Sequence, residues 1–258
     1  MTVPTSVYRP VSQSVGTERP LAVANGAWFP GRWLGGVSLI LGPLTLFAGV
    51  TLRLPFPFFF PQQLAAFASH PSRMTVAYSA VAVGTVLLWP AVATLTHLIG
   101  AARPGWALWG GTLATLGLFA RTFHAGVDHL AFQLVRAEGV AEATRLVGGS
   151  YGAFHVFHAA SAAIMAGWIV LAVGAYKAGT LGLLRAIALG LMSALMIGVL
   201  KGSTLTSVLA TAGLCVALVP VGVRVLRDGP TPPLRAVVGW SLLMVGLGAA
   251  FVVFGELG

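Results

Sequence analysis

Two stretches of this sequence carry residues able to do chemistry. In the first, residues 119–139, Arg121, His124 and Asp128 stand at positions i, i+3 and i+7, so one helical face presents a cation, a base and an acid together. His129 sits about 100° round from Asp128 and addresses a different neighbour. In the second, just after Ser150, Tyr151, His155 and His158 stand at i, i+4 and i+7, again on one face.

Three chemistries fit these residue types. Neutral imidazoles with a carboxylate are the usual ligands of Zn or Fe, which predicts a metal site held by His124, His155 and His158, with His129 as a further ligand. Asp128 would then orient a ligand or activate water, and Arg121 or Tyr151 would stabilise negative charge developing on a substrate carbonyl. Haem is the second reading, with His124 or His129 facing His155 or His158 as axial pair. The third needs no metal: Asp128 protonates an alkene or epoxide of an isoprenoid-like substrate, and an imidazole takes the last proton, as in a cyclase or isomerase. Against all three stands a structural reading, in which Arg121 and Asp128 tie helices together and interfacial histidines bond lipid headgroups or water.

The elements that must position these residues are read from composition. Of 258 residues 57% are hydrophobic and only 8% charged, with mean hydropathy +0.90, whereas a soluble domain carries roughly a quarter charged residues. Such a chain cannot cover a water-facing surface, so the expected fold class is all-α: a polytopic transmembrane helical bundle of about seven spans. The segments are Trp33 to Leu52, Thr75 to Ile99, Trp106 to about Ala125, Phe154 to Tyr176, Leu181 to Leu200, Thr204 to Val225 and Ala236 to Glu256. The third runs on as an amphipathic helix to about Val135, because nothing breaks it before Gly139. Residues 1–32, with Pro4, Pro10, Pro20 and Pro30, read as a mobile amino-terminal tail, and 33–258 as one transmembrane domain.

The formal charge of +9 comes from Lys and Arg scattered singly between apolar runs, which argues against nucleic acid as a partner. Those charges instead contact membrane lipid and set orientation. Arg9, Arg19, Arg32, Arg103, Lys177, Arg185, Arg224, Arg227 and Arg235 share one side. Arg53, Arg73, Arg121, Arg136, Arg145 and Lys201 share the other. The bias predicts a plasma-membrane protein with cytoplasmic amino terminus and external carboxyl terminus. Both histidine stripes then lie at the outer ends of adjacent antiparallel helices. Arg53, Gln62, Gln63, His70, Arg73, Lys201, Ser203, Thr204 and Glu256 join them there as a polar outer pocket.

Cys215 is the single cysteine, so intramolecular disulfides and thiolate metal clusters are excluded. No GxxxxGK[ST], strand-to-helix GxGxxG, GxSxG nucleophile elbow or HExxH is present. Seven-helix zinc hydrolases of the alkaline ceramidase and progestin and adipoQ receptor type offer a comparison in span number. They carry a histidine pair on the last helix, however, and Ala236 to Glu256 has none. The expected function is a membrane-embedded enzyme acting on a lipophilic small molecule at an outer-leaflet site. The competing class is a non-enzymatic membrane subunit or small-solute transporter.

Overall fold

A computed structural model describes residues 31–150, 156–195, 198–228 and 231–257, apart from the side chains of 156–159, 161, 251–252 and 255–257. The described residues form helices joined by turns and short irregular connections, with no strand. They form α1 (Gly31–Arg53), α2 (Phe60–Ser69), α3 (Pro71–Gly100), α4 (Pro104–Ser150), α5 (Val156–Lys177), α6 (Leu183–Gly190) with a 3-10 turn at Leu191–Ala194, α7 (Leu205–Arg227) and α8 (Leu234–Leu257).

Among these, α1, α3 and α7 are long and apolar enough to cross a bilayer, and Ala162–Lys177, Leu183–Ala194 and Leu234–Ala250 are shorter apolar helices. The chain is therefore an all-helical protein built for a membrane. Two corrections to the expected elements have physical causes, and one expectation holds. The connector after Arg53 contains a helix, α2, because Pro61 sits in its first turn, where a missing amide costs nothing. The helix expected from Leu181 to Leu200 ends at Ala194, and Leu195 and the residues from Gly198 to Thr204 are irregular. The third helix does continue past Ala125, and its ladder breaks at Gly139, whose φ of 81° is a left-handed value that glycine adopts without strain.

Glycines set the helix spacing. A Cβ on Gly84 would stand 2.7 Å from the Leu46 amide nitrogen, and one on Gly49 would stand 2.6 Å from the Ala77 carbonyl oxygen, so α1 and α3 touch backbone to backbone. Gly117 faces Ile164 and Gly167 faces Ala114 in the same way, fixing α4 against α5 antiparallel. Gly36 and Gly222 do so between α1 and α7. Trp168, fully buried, belongs to the core between these helices.

Among the described residues α8 packs against no other helix, and Leu242, Val245 and Phe254 on it are exposed. Removing residues 231–258 is accordingly expected to leave the thermal midpoint of the remaining bundle in detergent where it was. A drop in midpoint would mean that α8 contributes to the core.

Candidate functional site

The site is an extension of the packing stripe of α4. Along that helix Gly110, Ala114, Gly117, Arg121, His124 and Asp128 advance by alternate steps of four and three, which keeps them on one face. In the first half the stripe is small and admits α5. In the second half it is polar, and it faces the ends of α1 and α7 and the irregular segment after the 3-10 turn. His124 and Asp128 are each only 8% exposed. With Arg53, Arg121, Lys201 and Ser203 they line a cavity of about 50 Å³, room for a few waters or a small ionic group.

Three polar side chains of this cavity, Arg53, Arg121 and Asp128, do one job in common. Irregular backbone inside a membrane bundle has amide and carbonyl groups that no helix satisfies, and each left bare costs several kcal/mol in hydrocarbon. Here the cluster supplies the partners. Arg121 Nη2 donates to the Leu195 carbonyl at 3.2 Å. Asp128 Oδ1 accepts from the Leu200 amide at 2.6 Å. Arg53 Nη1 donates to the Lys201 carbonyl at 3.0 Å. The Gly202 amide donates to the Phe58 carbonyl at 2.8 Å. Leu200 itself has φ 49°, a left-handed conformation unfavourable for a branched side chain, and Asp128 holds it there.

A second tier positions Arg53. Its guanidinium lies 4.6 Å from the Tyr78 ring centre. The Tyr78 hydroxyl donates to Gln63 Oε1 at 2.9 Å, and Gln63 Nε2 donates to the Pro57 carbonyl. Lys201 Nζ lies 5.3 Å over Phe58. Arg53 is close enough to Arg121 and to Asp128 to act on both by charge. Ser203 is 6% exposed, and its Oγ has no hydrogen-bond partner among the described residues. Ser203 leads directly into Thr204, which caps α7 in a reciprocal box with Ser207.

The residues expected at the site are thus partly gathered. Arg121, His124 and Asp128 share the cavity. His129 is exposed on another face, with its Nε2 3.5 Å from Gln133 Nε2, so it does not join them. Tyr151 and His155 lie outside the described residues, as does the side chain of His158. The antiparallel register of α4 and α5 brings the backbone of His158 level with Phe123 and His124. Among the described residues no group of three or more His, Cys, Asp or Glu comes together. His70 and His97 are exposed and away from the cavity. Arg145 donates to both oxygens of Glu142 on the exposed helix beyond Gly139, and these hydrogen bonds hold the Glu142 carboxyl below its usual range.

Beside the polar cavity lies an apolar one of about 410 Å³, lined by Phe123, Val127, Leu130, Leu134, Val147 and Val199 among others. The wall between the two is shared: Phe123 and Val127 face one side and His124 and Asp128 the other, as Val199 and Gly198 do. The chain matches no known protein family, no curated protein and no solved structure.

Proposed function

We propose that this chain is a multi-pass, membrane-embedded enzyme whose lipophilic substrate places a polar end in the cavity formed by α1, α4 and α7. The observation that carries the reading is the placement of His124 and Asp128, one helical turn apart and both buried, on one small polar cavity beside an apolar one. Burial of two proton-exchanging groups is expensive in a membrane protein unless they are used. Asp128 Oδ1 is fixed by the Leu200 amide, so its second oxygen is aimed as a proton donor or acceptor and His124 is the complementary group. The apolar cavity of about 410 Å³ would take the hydrocarbon portion. Zn or Fe bound by His124 with His155 and His158 is the metal form of the same site. The membrane is the plasma membrane, with the amino terminus cytoplasmic and the site toward the outer leaflet, in keeping with the distribution of Lys and Arg.

A transporter is the second reading, favoured by the break between Ala194 and Leu205. Discontinuous helices whose irregular backbone lines a polar cavity are how many membrane transporters build a binding site.

The test is incubation of the purified chain with total lipid of its source membrane, followed by mass spectrometry of the products, for wild type, His124→Gln and Asp128→Asn. Loss of a positioned acid or base is expected to slow turnover by about 10²- to 10⁴-fold. Elemental analysis of the same samples reports whether metal leaves with His124. Turnover by Asp128→Asn at the wild-type rate would remove the acid–base role. Solute uptake into proteoliposomes, with no lipid product, would favour the transporter.

A further inference from the structure

We infer that the cavity is an oxyanion site and that the polar end it takes is a phosphate monoester. The inference rests on the reading of this cavity as a ligand site and specifies its occupant. Arg53, Arg121 and Lys201 all line this cavity, and Asp128 is the one carboxylate among its described lining residues, so the wall favours an anion. A phosphate monoester presents three terminal oxygens to such a wall, whereas a carboxylate or a phosphodiester presents two.

Geometry supports the same occupant. The hydrogen bonds of Arg53 and Arg121 to the Lys201 and Leu195 carbonyls anchor each guanidinium by one nitrogen. The Nε atoms of both are buried and without a hydrogen-bond partner among the described residues. Arg53 is itself more than nine-tenths buried, as is Ser203, whose unpartnered Oγ adds a neutral donor. The cavity also reaches Ser207 in the first turn of α7, where the positive end of a 23-residue helix favours an anion. Three donors with open hydrogen-bonding capacity and a helix start thus converge on one cavity.

The apolar cavity on the other side of the Val127–Asp128 and Gly198–Val199 wall suits a phosphate carried by a lipid. Free phosphate offers the same chemistry, so the test separates them. Binding to the full chain in neutral detergent is followed by thermal shift and titration with inorganic phosphate, dihexanoyl phosphatidic acid, dihexanoyl phosphatidylcholine and dihexanoylglycerol. The expected order has phosphatidic acid tightest and the last two without effect. Equal binding of inorganic phosphate would assign the site to the free ion and uphold an oxyanion pocket.

Arg121→Gln removes a charge-assisted hydrogen bond and is expected to weaken binding roughly 10- to 100-fold. Lys201→Gln, at a half-buried position, tests the same charge with less risk to folding. Asp128→Asn carries the opposite sign: with the neighbouring negative charge gone, phosphatidic acid should bind more tightly even as turnover falls. If all four compounds bind alike, or the lysine and arginine variants bind like wild type while melting like wild type, the oxyanion inference is overturned. Should phosphatidic acid bind with that charge dependence but no lipid ever be converted, the enzyme reading fails and the oxyanion site stands.

Discussion

Asp128→Ala is expected to cost about 3 kcal/mol of stability, with most of the damage confined to the irregular residues from Gly198 to Thr204. The size follows from two separate losses. The Leu200 amide, fully buried with its residue, would keep no acceptor once Oδ1 is gone, and an unsatisfied buried amide costs about 1–3 kcal/mol. The left-handed Leu200 would also lose the contact that over-determines its φ of 49°, and such strain is of the order of 1–3 kcal/mol when nothing compensates it. Asp128→Asn keeps an acceptor oxygen in place and should recover most of the stability, while a proton-transfer role would not survive it. Denaturant unfolding in micelles together with amide hydrogen exchange at Leu200 reads both effects. Equal stability of the alanine variant and wild type, or equal loss in the asparagine and alanine variants, would show that the Leu200 bond does not hold the segment.

This pair of variants matters because the cluster has a structural duty that competes with the catalytic one. Arg53, Arg121 and Asp128 each satisfy a backbone group of the broken segment. A role in folding is therefore sufficient to explain their burial, and only the charge balance, Ser203 and the adjoining cavities speak beyond it.

Much of this was legible in the chain. The apolar runs located α1, α3, α5 and α7 to within a few residues, because a membrane helix must satisfy its own backbone and so advertises itself by length. The i, i+3, i+7 spacing correctly put Arg121, His124 and Asp128 on one face, and topology placed Arg53, Lys201 and Ser203 at the same end. The break after Ala194 was not legible. Leu191 to Leu200 is apolar enough to continue as helix, and what stops it is a set of partners far away in sequence: Arg121, Asp128 and Arg53. Helix α2 was hidden for a different reason, since proline at a helix start and proline in a loop look alike until the flanking apolar face, Leu64 and Phe67, is seen to be buried. The Lys-Gly-Ser-Thr turn at 201–204 carried one usable signal: a capping Thr204 behind a small, polar run, which marks a helix start with open donors.

The other large effect concerns the frame that carries Arg53 to the cavity. Gly84→Val would put its Cβ 2.7 Å from the Leu46 amide nitrogen and 2.9 Å from the Leu46 Cα, atoms that cannot rotate aside. Overpacking of this kind costs about 1–3 kcal/mol even where side chains can adjust, and more where the obstacle is backbone. The α1–α3 pair must separate, and α1 ends at Arg53 two turns beyond Leu46, so its guanidinium would move off both Lys201 and the Tyr78 ring. Gly84→Val is thus expected to lower the melting midpoint and, in whatever fraction remains folded, to weaken oxyanion binding as much as a direct change at Arg53. Gly126→Ala, at a glycine with nothing within 4 Å of a built Cβ, is the matched control and should alter neither. Thermal unfolding and phosphatidic acid titration of the two variants check this together, and a Gly84→Val protein that binds like wild type would show that the α1–α3 crossing does not position the site.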